Sequence, residues 1–195
     1  MAKIALDIDS TLHHYWDLID RISRERFGVE LPYDEQTDWG ITVLERDDLI
    51  ACVEETHSDE NILAAEPYPD AVETVKAWSE QGHWIHVTSH RTTRAHDATA
   101  QWLEKIGMPY DDLHCSYDKI SRCVDLDIDV LIDDSPVTLA RAIERGMVAA
   151  TLVHPWNREL CEEEAEVVCA DDWRGLAAAL ERRLPRLGRA SSSPA

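Results

Sequence analysis

Three short runs carry residues able to make and break bonds, and each lies where an apolar stretch ends. They are Asp7-Ile-Asp-Ser-Thr11, Val87-Thr-Ser-His-Arg91 and Leu131-Ile-Asp-Asp-Ser135, with Lys119 ahead of the third. Two carboxylates separated by one residue at a strand end can face one site. One can attack as a nucleophile while the other works as general acid, then base. A distant Asp pair completes an all-oxygen site for a hard cation, which suits Mg2+. Four acids packed together would repel strongly without it. A hydroxyl from Thr88 or Ser89, with the ammonium of Lys119, can stabilise charge on a transferring phosphoryl group.

Asp-x-Asp by itself carries little weight. The chain has 21 Asp residues, so roughly two such pairs arise by chance. Asp125, Asp127 and Asp129 alternate the same way and read as a solvated loop. The signal is the joint context: four elements in order, each at or beside the carboxyl end of a strand.

The elements that must position them follow from periodicity. Lys3–Ile8 reads as a short buried strand and His13–Phe27 as a helix stopped by Gly28. Between Gly28 and Tyr68 there are twelve acids and one base, Arg46, with Glu45–Thr56 reading as helix. This stretch is a separate, mostly helical insertion. Pro67-Tyr-Pro-Asp70 ends it, and Asp70 is placed to cap a helix over Ala71–Gln81. Strands at Trp84–Thr88, Asp112–Ser116, Asp129–Asp133 and Met147–Val153 then alternate with helices at Arg94–Ile106, Lys119–Leu126 and Pro136–Arg145. A helix at Trp173–Leu184, preceded by a short strand at Glu166–Cys169, closes the pattern. Strands alternating with helices mean βαβ units and a parallel sheet covered on both faces. Ligands of such sheets bind beyond the carboxyl ends of the strands. The tail, residues 185–195, reads as disordered.

Composition narrows the function classes. The 195 residues are 44% hydrophobic and 30% charged, as in ordinary globular proteins. No apolar run approaches the roughly 20 residues of a membrane span, and Asp7 interrupts the apolar start, so the expectation is a cytoplasmic protein. A net charge of −20 argues against binding a nucleic-acid polymer or an anionic membrane. It leaves a small anionic substrate open, because a metal ion and a few local bases can invert the field in one pocket. Five cysteines with no C-x-x-C fit reduced thiols.

The set of motifs resembles the haloacid dehalogenase-like (HAD) phosphohydrolase superfamily, with all four of its motifs matched across Lys3–Ser135. The resemblance implies an α/β, Rossmann-like three-layer fold with strand order 5-4-1-2-3. Its core would be 1–12 and 69–184, and residues 13–68 would form a small helical cap of the C1 type. Residue by residue, it implies that Asp7 attacks phosphorus to form an aspartyl-phosphate. Asp9 protonates the leaving alkoxide and then activates water. Mg2+ would be bound by Asp7, the backbone carbonyl of Asp9 and Asp134, with Asp133 in support, while Thr88, rather than Ser89, and Lys119 hold the phosphoryl oxygens. The presence of Asp9 argues against a true dehalogenase. More narrowly, the compact cap, Thr88-Ser89, Asp133-Asp134 and Val153-His-Pro-Trp-Asn157 look like the 5′(3′)-deoxyribonucleotidase branch. That branch usually has Gly and an apolar residue where Ser10 and Thr11 stand, and often Pro in place of His90.

The expected substrate is therefore a small phosphorylated molecule. Deoxynucleoside monophosphates come first and a sugar phosphate second, with a non-catalytic phosphate-binding module behind both. The insertion shows few aromatics besides Phe27, Tyr33 and Trp39, which predicts limited stacking surface for a base. Trp39 reads as a core residue of the insertion ahead of a stacking contact for a base or sugar, and His13, His14 and Trp16 as packing. His90 and Arg91 read equally well as substrate contacts or as loop. Two resemblances fail on spacing. His114-Cys115 followed by Arg122 has six intervening residues where a tyrosine-phosphatase loop needs five, and His96-Asp97 has no second metal-binding pair.

Overall fold

The apolar runs form six parallel strands: β1 (Lys3–Leu6), β2 (Trp84–Ser89), β3 (Asp112–Cys115), β4 (Val130–Ile132), β5 (Val148–Leu152) and β6 (Val168–Ala170). They are ordered β3-β2-β1-β4-β5-β6 in a computed structural model that describes residues 1–183. The expected 5-4-1-2-3 core is present, extended by β6 at the outer edge of β5. The disordered-tail expectation for 185–195 lies outside the described residues.

Alternation along the strands builds two separate cores, as a sheet covered on both faces requires. Ile4, Leu6, Val130 and Ile132 point to one face, where Trp78, Trp102 and Trp173 fill the space under α4 (Ala71–Glu80), α5 (His96–Ile106) and α9 (Trp173–Glu181). Ala5, Leu131 and Ala149 point to the other, against Cys123, Leu139 and Ala142 of α6 (Lys119–Asp125) and α7 (Pro136–Glu144). The sheet is thus covered on both faces, and the strand-end acids gather at its carboxyl edge.

Some helix ends follow local chemistry, and one expected cap does not form. Ser135 accepts from the Thr138 N–H, and Pro136 opens α7 where no N–H is needed. Asp70 does not cap α4. Its backbone is left-handed (φ 64°), its carboxylate makes no cap hydrogen bond, and it faces Arg174 at 3.4 Å instead.

Residues 13–68 hold α1 (Tyr15–Phe27), α2 (Arg46–Thr56) and α3 (Asp59–Ala64). Packing divides them. Trp16, Ile19 and Ile22 of α1 share an apolar cluster with Leu31, Leu44 and Cys52, and Trp156, from the loop after β5, completes it. Ile62 of α3 instead joins the sheet core, and the Trp102 indole donates to the Ala65 carbonyl. Among the described residues all five thiols are free, and no helix is long and apolar enough to cross a membrane.

Candidate active site

β1 leaves the sheet at Asp7, whose N–H makes a last bond of 2.8 Å to the Ile132 carbonyl. The turn that follows bends through Ser10 at φ 59° and is held by distant groups. The Trp173 indole donates to the Thr11 carbonyl at 2.9 Å, and the Tyr68 N–H to the Leu12 carbonyl at 2.8 Å. His154 Nε2 donates to the Ser10 carbonyl at 2.7 Å, which makes its Nδ1 the acceptor for the Tyr33 hydroxyl, also at 2.7 Å. Burial pushes the His154 pKa down to about 4, so this bridge is uncharged at neutral pH.

Beyond β4, Asp133 and Asp134 reach the same place. The Asp133 carboxylate accepts from the Ser135 N–H at 2.9 Å. The Asp134 carbonyl accepts from the Asn157 side-chain amide at 3.1 Å and the Trp156 indole at 3.3 Å. Lys119, first residue of α6, is 2% exposed and donates to Asp7 Oδ1 and Asp133 Oδ2, both at 2.6 Å. Asp7, Asp133 and Asp134 can each place a carboxylate oxygen within 4.8 Å of the others. Burial, helped by Asp133 and Asp9 and opposed by Lys119, pushes Asp7 up to about 7. Burial and the carboxylates of Asp7 and Asp133 push Asp134 up as well. Burial works against the Lys119 ammonium, but Asp133 and Asp7 raise its pKa overall. Three buried carboxylates against one ammonium leave an unbalanced negative charge among oxygen donors, which is the environment of a hard cation.

Asp9 faces a different set. Arg91 Nη2 donates to its Oδ1 at 2.6 Å and Nε to its Oδ2 at 3.3 Å. His13 Nε2 lies 3.0 Å from Oδ1, His57 Nε2 lies 3.4 Å from Oδ2, and the Ser89 hydroxyl donates to Oδ2 at 3.5 Å. Burial alone would raise this carboxyl, but Arg91 and the two histidines hold it well below the usual range.

The structure therefore brings Asp7 and Asp133 into direct contact with Lys119, places Asp134 within 4.8 Å of both acids, sets Asp9 beside them, and ties Ser89 to Asp9. Thr88 is fully buried, and its hydroxyl has no partner among the described residues. Neither Thr88 nor Ser89 lines the adjoining cavity of about 350 Å3. That cavity is bounded by the acids and Lys119, by Tyr15, Trp16, Trp39 and Trp156, and by aliphatic side chains including Ile19 and Val53. Two expectations change here. Trp39 is 45% exposed and stands at the cavity instead of in the α1–α2 cluster. The stacking surface is ample, because Tyr15 and Trp16 within 13–68 face the cavity and Trp156 and Tyr117 arrive from core loops.

Sequence reasoning missed the shell of Asp9. Arg91 was undecided between substrate and loop, and His13 read as packing. The i, i+4 spacing of Asp9 and His13 was a signal, whereas nothing local marks His57. Arg122, of the rejected phosphatase loop, pairs with Asp112 at 3.0 Å.

No family model matches the chain. Two curated proteins align along most of it. One, from Chlorobaculum tepidum, bears the name "Putative 5'(3')-deoxyribonucleotidase" and is 27% identical, covering 83% of this chain and 84% of that protein. Another, a "Putative nucleotidase" from Bacillus cereus, is 24% identical over 81% of this chain and 89% of its own length. Among solved structures, a HAD-family hydrolase from Deinococcus radiodurans with bound phosphate and sodium superposes with a TM-score of 0.66 at 16% identity, covering 96% of both chains. CbbY from Rhodobacter sphaeroides in complex with phosphate gives 0.59 at 16% identity, covering 90% of this chain and 99% of its own. The fold is that of HAD-superfamily hydrolases, and the sequence is similar to nucleotidases.

Proposed function

We propose that this chain is a Mg2+-dependent phosphomonoesterase acting through an aspartyl-phosphate, with deoxynucleoside monophosphates as its first substrate class. One observation carries the reading. Lys119 ties Asp7 to Asp133 at 2.6 Å each, within a three-carboxylate cluster that opens on an aromatic cavity.

Each residue's part is the one the family resemblance implies. Asp7 lies at the cavity wall, and Lys119 fixes one of its carboxylate oxygens. The Asp7 carboxylate attacks phosphorus, the ester P–O bond breaks, and the leaving oxygen takes the electron pair and a proton from Asp9, which must first be protonated against the pull of Arg91, His13 and His57. In the second half a water oxygen attacks phosphorus, Asp9 takes the water proton, and the bond between phosphorus and Asp7 breaks. Asp7, the Asp9 carbonyl and Asp134, with Asp133 in support, would hold Mg2+, which supplies charge neutralisation at the phosphoryl oxygens. Lys119 adds the fixed positive charge, and the Thr88 hydroxyl, partnerless among the described residues, is the candidate donor to a phosphoryl oxygen.

The cavity wall favours a nucleobase over a sugar. Flat indole and phenol rings with aliphatic neighbours suit a planar heterocycle. A sugar phosphate would leave its hydroxyls facing apolar side chains, at a cost. Residues 13–68 would then act as a cap over the leaving group, excluding water during transfer.

The test is phosphate release from dUMP, dTMP, their ribo-counterparts and several sugar phosphates, with and without Mg2+, using Asp7→Asn as control. The expected result is Mg2+-dependent turnover, fastest on deoxynucleotides and lost in the variant. A sugar phosphate ranking first would overturn the substrate class. Folded, Mg2+-binding protein that cleaves no ester would favour the phosphate-binding module.

A further inference from the structure

Arg91 is among the largest fully buried side chains of the protein, at 2% exposure, yet it does not serve the interior of the sheet. It stands two residues past the end of β2 and turns its guanidinium toward Asp9, which lines the cavity. Nη2 and Nε grip both oxygens of that carboxylate, and Nη1 donates to Thr99 of α5 at 3.1 Å. The fork is thus braced from behind by a helix. A planar two-point grip fixes the plane of a carboxylate, which a lysine ammonium cannot do. His13 and His57 lie against the same two oxygens, and His13 Nε2 is also 3.4 Å from Arg91 Nη2.

We propose that Arg91 is the positioning residue of the reaction: it holds the ionised Asp9 carboxylate in the orientation from which it takes the proton of the attacking water. The inference rests on the phosphomonoesterase reading and goes beyond it by assigning a role to a residue that touches neither phosphorus nor the leaving group. Arg91 acts through Asp9 alone, so its contribution vanishes when Asp9 cannot transfer a proton.

The experiment compares wild type, Arg91→Met, Arg91→Lys, Asp9→Asn and the Asp9→Asn/Arg91→Met double variant. The full chain is used with Mg2+, on the best deoxynucleotide and on p-nitrophenyl phosphate. The first substrate leaves as an alkoxide that needs a proton, whereas p-nitrophenolate leaves without one. Arg91→Met is expected to lower kcat on the deoxynucleotide about 100-fold, the range of one general acid–base group, with KM within about threefold of wild type. On p-nitrophenyl phosphate it is expected to give a burst of one p-nitrophenolate per site and then a slow phase, because transfer to Asp7 proceeds while water activation fails. In the Asp9→Asn background the same change is expected to add less than about threefold.

An equal loss from Arg91→Met in the wild-type and Asp9→Asn backgrounds would overturn the proposal, as would a raised KM at unchanged kcat. Should Arg91→Met melt at the assay temperature, Arg91→Lys decides. It keeps the charge and loses the fork, so a lowered kcat with the burst supports the proposal and full activity overturns it. A wild type that cleaves no ester defeats the underlying phosphomonoesterase reading instead, and is told apart by that control alone.

Discussion

Asp7 and Asp9 are two residues apart on one loop and live in opposite fields. Asp7 is gathered with Asp133 and Asp134 around a single ammonium, and its pKa rises to about 7. Asp9 is gripped by Arg91 between two histidines and is held well below the usual carboxylate range. The separation arises from the two neighbouring strand ends. β4 delivers acids to one side of the loop and β2 delivers a base to the other. One loop can thus supply two carboxylates with different duties, because its neighbours in the sheet differ in charge.

The largest test removes the acid-rich half. Asp7→Asn is expected to cut phosphate release by more than about 1,000-fold, the scale of a lost nucleophile, while near-ultraviolet circular dichroism stays unchanged. A partial loss would mean that the two carboxylates share the attack.

Lys119→Met sharpens the same contrast through stability. It leaves three buried carboxylates without their ammonium, and breaking a buried ion pair from one side costs about 3–5 kcal/mol. Urea denaturation should show that loss, and millimolar Mg2+ should recover part of it by binding the folded state. No recovery would argue against cation binding by this cluster.

A third measurement asks whether the loop carrying both carboxylates is locked by an uncharged histidine. His154 has a folded pKa of about 4 against an ordinary 6.5. Below pH 6.5 the unfolded chain takes up a proton that the folded chain refuses until about pH 4. Its contribution is therefore complete above 6.5 and lost as pH falls toward 4, by up to about 3 kcal/mol. His154→Asn should flatten the stability profile in that window relative to wild type. The smallest effect is expected at the cavity mouth. Trp39→Ala should raise KM for dTMP about fivefold, near 1 kcal/mol of lost stacking, with an unchanged melting temperature.

Much of this arrangement was legible in the residues. The apolar runs of β1, β4 and β5, the glycine after α1 and the proline opening α7 act locally, so the parallel sheet could be read from period and punctuation, while its strand order was implied by the family resemblance. The acids of the cluster were visible because each sits at a strand's carboxyl end. What escaped was non-local. Arg91 and Asp9 meet only because β2 lies beside β1, and adjacency to Ser89 does not say which way a guanidinium turns. His57 reaches Asp9 from the end of α2, an approach set by packing of the α1–α2 cluster. Asp70 misled because the preference for an acid before a helix assumes extended backbone, and here the chain is left-handed. The short acidic helix α8 (Arg158–Glu163) has too few residues to show a period.

Trp156 has a consequence for how the molecule can move. By chain connection it belongs to the loop after β5, by packing to the α1–α2 cluster, and by its N–H to the Asp134 carbonyl. Its ring lies 5.1 Å from that of Trp16 and is stacked on His154 at 4.6 Å. Helices α1 and α2 are therefore latched to the sheet, not merely tethered by the chain. Swinging them outward must peel one aromatic face off another, and the tug is delivered directly to the strand end that carries Asp133 and Asp134. Opening the mouth and loosening the acids become a single mechanical event, and the indole fluorescence of Trp156 is its natural gauge.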